Sequence, residues 1–139
     1  MAKPQTQKIA TPIADVWIDV NQVVHMEFKS SERHNVEDAK LVTQAHAQLS
    51  GDKKSPVLVD MRKITVGADK DARNHYASEE AARLKSAMAM VTNNKFQRTL
   101  GSIYLFMTRP PYPAKIFTTE TDALTWLQDY NSIEKPELD

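Results

Sequence analysis

The stretch Ser55-Pro56-Val57-Leu58-Val59-Asp60 decides the fold class of this chain. It is a short, continuous apolar run that ends on an aspartate. A run of this kind predicts a central strand buried on both faces, as in a parallel sheet. Ala87-Met88-Ala89-Met90-Val91 predicts a second buried strand, and Ala114-Lys115-Ile116-Phe117 predicts a final short one.

A hairpin is predicted upstream of this strand. Residues 15–19 and 23–28 are rich in β-branched and aromatic side chains, and a polar dipeptide separates them. A further short strand is expected near residues 9–11. His25 alternates with apolar neighbours in the second hairpin strand, so we expect it to point away from the core.

Four helices are predicted between and after these strands. Asn35 is suited to cap the first of them, and Gly51 is suited to end it. The predicted limits are Asn35 to Gly51, residues 69–85, Asn93 or Asn94 to about Phe106, and a last helix capped by Thr118 or Thr119. Alternating strands and helices after an antiparallel start predict an α/β domain. Its mixed β-sheet has four to five strands, packed with about four helices.

Length and composition indicate one domain without disulfide or thiol chemistry. A chain of 139 residues has the length of a single domain, which we place at 9–130, with flexible ends at 1–8 and 131–139. The chain holds no cysteine, which excludes disulfides, thiolate-bound zinc and thiol catalysis.

Charge and hydropathy argue against several classes of partner. The formal net charge is zero, so no overall positive field favours nucleic acid or an anionic membrane. The first residues are polar and lack the apolar centre of a secretory signal. No apolar run approaches the roughly 18 residues that span a bilayer. We therefore expect a cytoplasmic protein that binds no nucleic acid.

Two stretches of the chain resemble a known superfamily. One is Val57-Leu58-Val59-Asp60 with the turn and helix that follow, and the other is PAKIFTTETDALTWL at 113–127, where a strand runs into a helix. With the order of elements, they resemble the SpoIIAA-like, or STAS, fold of bacterial anti-anti-sigma factors and of the cytoplasmic domains of sulfate transporters. The likeness is greatest to an uncharacterised branch of stand-alone bacterial proteins of about this length, and it covers most of residues 9–130.

The sequence departs from this superfamily at the phosphoswitch. Anti-anti-sigma proteins carry a phosphorylatable serine at the start of the helix after this strand, usually as Asp-Ser-Ser-Gly. The corresponding segment 60–69 is DMRKITVGAD, which contains no serine and has Thr65 as its only hydroxyl. Phosphorylation of Thr65 stays an alternative, because a phosphate adds about two negative charges beside a helix N-terminus.

Polar residues are expected to meet at the carboxyl ends of the strands, where open α/β sheets bind ligands. These residues are Asp60, Arg62, Thr65, Asn93 and Thr118. Such a group predicts a small pocket for an anion or a partner peptide. The alternative is structural, because aspartate, asparagine and threonine at these positions also cap turns and helices.

The third predicted helix is apolar on more than one face. Its large apolar side chains are Phe96, Leu100, Ile103, Tyr104, Leu105, Phe106 and Met107. The last four surround the helix, which must then be covered on several sides. We expect these four to form a homodimer contact or to line a cavity for an apolar ligand. A deeply buried core helix is the alternative. Met88, Met90 and Met107 would suit an adaptable cavity lining.

No group of residues predicts catalysis, a metal site or a cofactor. His75 and Glu79 lie one helical turn apart, but no third ligand is near them in sequence, so we expect a solvated helix face. His34 is expected in a loop and His46 on the outer face of the first helix.

Basic residues surround the third predicted helix and the proline-rich turn after it. They are Lys95, Arg98, Arg109 and Lys115, and few acids are near them in sequence. The pattern predicts a local positive patch, which is either a solvated face or, with Tyr112, a contact for nucleic acid or an acidic partner.

Taken together, these features predict a non-catalytic, STAS-like regulatory or protein-interaction domain that forms a homodimer and lacks the usual phosphoacceptor serine. The alternative from another functional class is a small carrier or sensor that binds an apolar or anionic molecule.

Overall fold

A computed structural model describes residues 7–31 and 33–130. The predicted flexible ends at 1–8 and 131–139 lie outside the described residues, except for positions 7 and 8. The strands are β1 (Ile9–Ala10), β2 (Ala14–Ile18), β3 (Val24–Phe28), β4 (Ser55–Asp60), β5 (Lys85–Val91) and β6 (Ala114–Phe117). The helices are α1 (Val36–Ser50), α2 (Lys70–Ala77), α3 (Glu79–Ala82), α4 (Lys95–Thr108) and α5 (Glu120–Leu127), followed by a 3-10 turn at Gln128–Tyr130.

The six strands form one mixed sheet whose spatial order follows the chain from β1 to β6. The pairings of β1 with β2 and of β2 with β3 are antiparallel, and the other three are parallel. Strand β4 lies between two parallel neighbours, with Val57 opposite Val24 on one side and Met88 on the other. All six residues of β4 are buried. The continuous apolar run therefore forms the central strand that its pattern predicts, and the mixed sheet with an antiparallel start is confirmed.

Helices cover both faces of the sheet. On one face, Val42 and Ala45 of α1 belong to the main core with Val16, Val24 and Val57. On the other face, Ala123 and Leu127 of α5 pack against a second core cluster that includes Leu58, Ala89 and Val91. None of the helices in the described part of the chain is long and apolar enough to cross a membrane.

Side-chain caps fix where the helices begin. The side chains of Asn35, Asp69, Asn94 and Thr119 each accept a hydrogen bond from a backbone N–H in the first turn of the following helix. Of the paired sequence alternatives, Asn94 rather than Asn93 and Thr119 rather than Thr118 are the caps. Gly51 ends α1 at a φ of 64°, a left-handed conformation that glycine adopts without steric cost.

The helix predicted over residues 69–85 is wrong in its C-terminal half. Ser78 has an extended backbone, and its hydroxyl donates to the carbonyl of His75, so the chain divides into α2 and α3. Lys85 begins strand β5 instead of ending a helix. This division gives five helices in the described part of the chain, one more than expected, and the short strand predicted near residues 9–11 is present as β1.

Candidate functional site

Helix α4 presents an apolar face to solvent. Phe96, Ile103, Phe106 and Met107, hereafter the α4 face, are 53, 49, 73 and 56 % exposed. Only Gln97 and Gly101 of this helix are buried. The alternative of a deeply buried core helix is therefore wrong, because about half or more of each of these four side chains is exposed.

Two residues hold α4 close to the sheet. The Gln97 amide donates to the carbonyls of Arg62 and Ile64, and its oxygen accepts from the Asn93 backbone N–H. At Gly101, a Cβ atom would lie 3.2 Å from the Cδ1 atom of Ile116, so a larger residue would require the Ile116 side chain to shift. The small residue lets α4 approach the side chains of the sheet closely, while Phe96, Ile103, Phe106 and Met107 stay largely exposed.

The four residues expected at a dimer or cavity surface divide between two places. Tyr104 and Leu105 are half-buried and pack against the main core. Phe106 and Met107 belong to the α4 face. Tyr104 also lines a cavity, and the other three residues lie outside that cavity.

The cavity that Tyr104 lines, hereafter the methionine cavity, lies between the sheet, α2 and α4, and has a volume of about 100 Å³. Its lining is predominantly apolar and includes Met26, Met61, Met88 and Met90. Met88 and Met90 were expected in such a lining, whereas Met107 lies on the α4 face instead. Thioether side chains are unbranched and flexible, so the volume of this cavity can adjust to its contents.

The polar groups of the methionine cavity are cationic or hydrogen-bonded, and none of the described residues that line it carries a carboxylate. His34 Nε2 lies 2.6 Å from the Tyr76 hydroxyl, and burial lowers the pKa of His34 to about 4. Arg73 and Lys85 also contribute to the lining. Within 7–31 and 33–130, neither of these two cations forms an ion pair with a carboxylate. Burial lowers the pKa of the Lys85 ammonium to about 8.

Two further histidines, His46 and His75, contradict their predicted exposure. His46 is fully buried, its Nε2 lies 3.0 Å from the Ser55 hydroxyl, and burial lowers its pKa to about 3. His75 is buried as well, with Nε2 2.8 Å from the Thr43 hydroxyl, and burial lowers its pKa. Both rings connect α1 to neighbouring elements, so neither belongs to a solvated helix face.

A second, polar cavity of about 250 Å³, hereafter the polar cleft, lies on the other face of the sheet, beside α5. It contains Asp60 and Arg62 of the predicted pocket. The Arg62 guanidinium donates to both carboxylate oxygens of Asp60 at 2.9 and 2.8 Å, and to Glu120 at 3.1 Å. Hydrogen bonds from Arg62 lower the pKa of Asp60 against the opposing effect of burial. The two predicted ligand groups therefore bind each other.

The other three predicted pocket residues lie outside both cavities. Thr65 is exposed, and its hydroxyl donates to the Ser31 carbonyl at 3.5 Å. Asn93 and Thr118 are exposed. Asn94 and Thr119, the residues that follow them, cap helices α4 and α5.

The polar cleft also contains residues that the sequence did not suggest. Trp17 and His25 lie opposite each other in the hairpin, and their rings stack at 4.9 Å. His25 points away from the main core, on the sheet face that carries the second core cluster, and it is buried there, with Nε2 2.9 Å from the Asp19 carboxylate. The Lys8 ammonium lies 4.5 Å from the Trp17 ring centre. In the sequence, both residues alternate with core residues along their strands, and this alternation could have indicated that they share one face of the sheet.

Replacing Arg62 by methionine is expected to lower the free energy of unfolding by about 1–2 kcal/mol, because the buried Asp60 carboxylate loses its charged partner. Urea unfolding at pH 7 measures this difference. The matched control is Lys63→Met at the next position, whose ammonium is exposed and lies 4.0 Å from Glu27. That substitution should change stability by less than about 0.5 kcal/mol. Equal effects of the two substitutions would contradict a structural role for the Arg62–Asp60 pair.

One solved structure has a similar architecture. A crystal structure of an uncharacterised protein of the DUF3478 family from Shewanella loihica PV-4, described as having a SpoIIAA-like fold, superposes with a TM-score of 0.59. The two chains are 14 % identical over 91 % of this chain and 98 % of the other, so the likeness concerns the fold alone. A protein of unknown function from Arthrobacter sp. FB24 is 26 % identical over 81 % of this chain and 96 % of that one, with a TM-score of 0.29.

No curated protein matches the chain. A family model described as a domain of unknown function, DUF7793, matches residues 16–131. That match extends from the first long strand of the sheet to the residue after the last 3-10 turn. The chain therefore has a SpoIIAA-like fold and belongs to the DUF7793 family.

Proposed function

We propose that this protein is a non-catalytic protein-interaction domain and that the α4 face binds the partner. The observation that carries the proposal is the exposure of four large apolar side chains on one helix. Contiguous exposed apolar surface of this kind typically marks an interaction site. The polar cleft supports the non-catalytic part, because its strongest charged groups are engaged with each other.

The charges around the α4 face favour an acidic partner. The helix contains Lys95 and Arg98 and no acidic residue, and Arg109 follows it directly. All three cations are exposed. Two of them lie in the first turn of the helix, where positive charge is unfavourable beside the helix dipole. An acidic side chain on a partner would relieve this repulsion.

The occupant that fits both features is an acidic amphipathic helix of another protein. Its apolar stripe would contact Phe96, Ile103 and Phe106, and its flanking carboxylates would meet the cations. The homodimer predicted from the sequence competes for the same face. Direct pairing of two α4 helices would bring like charges together, so we place the acidic partner first.

Two designed helical peptides with one Leu/Phe stripe, flanked by glutamate in one and lysine in the other, test the choice of partner. We expect the glutamate peptide to bind at least about tenfold more tightly, with backbone amide shifts concentrated at residues 96–107. Its affinity should fall with added salt. Phe106→Ser should abolish binding, whereas Val20→Ser, at an equally exposed apolar residue in the β2–β3 turn, should leave it unchanged.

Light scattering at tens of micromolar protein measures the oligomeric state and tests the competing homodimer. If the wild-type protein is a dimer and Phe106→Ser is a monomer, a second copy occupies the α4 face, and the acidic-partner proposal is wrong. Equal affinity for the two peptides would likewise overturn the charge argument. The reversal Lys95→Glu with Arg98→Glu provides a positive check, because it should exchange the peptide preference without altering the apolar stripe.

A further inference from the structure

We infer that the methionine cavity is a binding site for a small carboxylate with a single apolar ring. The inference rests on the cavity's size, its lining and its two cations. It does not depend on the α4 face being a protein contact, although Ile103 belongs to both.

The size and lining of the cavity suit one ring. A cavity of about 150 Å³ lined by aliphatic and aromatic side chains stays dry and holds benzene. The methionine cavity has about 100 Å³ and is lined by four flexible thioethers. Rotation of those side chains accommodates a ring without moving the backbone. Tyr76 and Tyr104 add aromatic edges to the wall, with ring centres 6.2 Å apart.

The charges on the wall select an anion. Arg73 is half-buried, and one of its guanidinium nitrogens donates to the Ala68 carbonyl at 2.8 Å, which leaves other donors for a ligand. The Lys85 ammonium is buried, and the hydrogen bond given for it is a long one of 3.3 Å to the Ala81 carbonyl. Buried cations are normally paired with acids. Since neither has a carboxylate partner among the described residues, a ligand carboxylate would supply the missing charge.

The His34–Tyr76 pair on the same wall is compatible with an anionic ligand. His34 and Tyr76 hydrogen-bond to each other across the cavity lining. Neither group is negatively charged, so this pair does not repel a ligand carboxylate. A ligand with a cationic head would meet Arg73 and Lys85 and be rejected.

Titration of the full chain with benzoate, toluene and benzylammonium, three single-ring probes that differ in charge, tests the inference. Binding is followed by amide and methionine methyl shifts in NMR spectra. We expect benzoate to bind at least tenfold more tightly than toluene and benzylammonium not to bind. The shifted methyl signals should be those of Met26, Met61, Met88 and Met90, and not that of Met107.

Variants assign the binding to this cavity. Lys85→Met and Arg73→Gln should each weaken benzoate binding by about tenfold. Arg83→Gln, at an exposed arginine that pairs with Asp52, is the matched control and should leave binding unchanged. Ala68→Leu, which adds carbon atoms to the cavity wall, should block benzoate and toluene while the protein stays folded by circular dichroism.

Two results would overturn the inference. Equal binding of toluene and benzoate would mean a neutral apolar ligand and no role for the cations. Shifts confined to residues outside the lining, or no shift at millimolar benzoate, would mean that the cavity is not a site. Neither result bears on peptide binding to Phe106, so the two proposals can fail separately.

Discussion

Lowering the pH from 7 to 5 should reduce the free energy of unfolding by about 4 kcal/mol, through His34 and His46 alone. Burial lowers the pKa of His34 to about 4 and that of His46 to about 3. Each ring is neutral in the folded protein at pH 5, whereas in the unfolded chain, with a pKa near 6.5, it is protonated. Each therefore contributes about 2 kcal/mol to the loss.

Proton uptake by the unfolded chain determines the direction of this change in stability and the pH range in which it occurs. Between pH 6.5 and about 4 the unfolded state binds more protons than the folded state, so stability falls as the pH falls. Burial also lowers the pKa of His75, which acts in the same direction. Hydrogen bonds lower the pKa of Asp19 and Asp60, but those carboxylates lose their contribution only below about pH 4.

Urea unfolding at pH 7, 6 and 5 measures this loss. The variants His34→Gln and His46→Gln remove one titrating ring each, so each should reduce the difference between pH 7 and pH 5 by about 2 kcal/mol. The comparison is made within each variant, which cancels any change in stability that the glutamine itself causes. Parallel pH dependences of wild type and both variants would show that the buried histidines are not the cause.

The strands and helix starts could be predicted because short-range physics determines them. The apolar run of β4 has no polar face that could be exposed to solvent, so the strand must lie in the centre of the sheet, covered on both faces. Asn35 and Asp69 accept hydrogen bonds from N–H groups three residues along, which is a local arrangement visible in sequence. The division at Ser78 was missed because a serine hydroxyl that bonds backward to a carbonyl is equally compatible with a continuing helix.

The buried polar groups were harder to predict because their partners are distant in the chain. His46 lies four residues after Val42 on the buried stripe of α1, and this spacing was the available signal. Its partner Ser55 and the Thr43 partner of His75 become neighbours only in the folded protein. Arg73 of α2 and Lys85 of β5 likewise meet only at the methionine cavity in the folded protein, and no sequence motif indicates that they are neighbours.

The apolar excess of α4 was visible in the sequence, but its orientation was not. Amphipathic reasoning places the largest apolar stripe toward the core. Here Gln97 and Gly101 face the sheet instead, because a hydrogen-bonded amide and a close backbone approach fix the helix. The large side chains are consequently left on the outside, which is why an interaction surface is the function that this helix supports.

Replacing Lys85 by methionine is expected to raise the free energy of unfolding at pH 7 by about 3 kcal/mol. Burial lowers the pKa of this ammonium from 10.5 to about 8, so the folded protein holds its charge at a cost. Between pH 8 and 10.5 the unfolded chain binds more protons, and wild-type stability should therefore rise with pH through this window. Methionine has a similar length and no charge to desolvate.

Thermal or urea unfolding at pH 7 and 9.5 measures the gain and its pH dependence. The advantage of Lys85→Met should shrink from about 3 to about 1 kcal/mol between these two values. Burial raises the pKa of Tyr76, Tyr104 and Tyr112, which removes stability only above pH 10 and acts equally on both proteins. Lys115→Met in β6, at an exposed lysine, is the control and should change stability by less than about 0.5 kcal/mol.

A gain in stability at Lys85 would also carry a functional meaning. A buried cation without an acid among the described residues lowers stability, and such costs are typically retained at binding sites. The methionine variant should therefore be more stable and bind benzoate more weakly. If Lys85→Met is neither stabilised at pH 7 nor altered in its pH dependence, the ammonium is solvated in the folded protein. It would then supply no buried charge for a ligand in the methionine cavity.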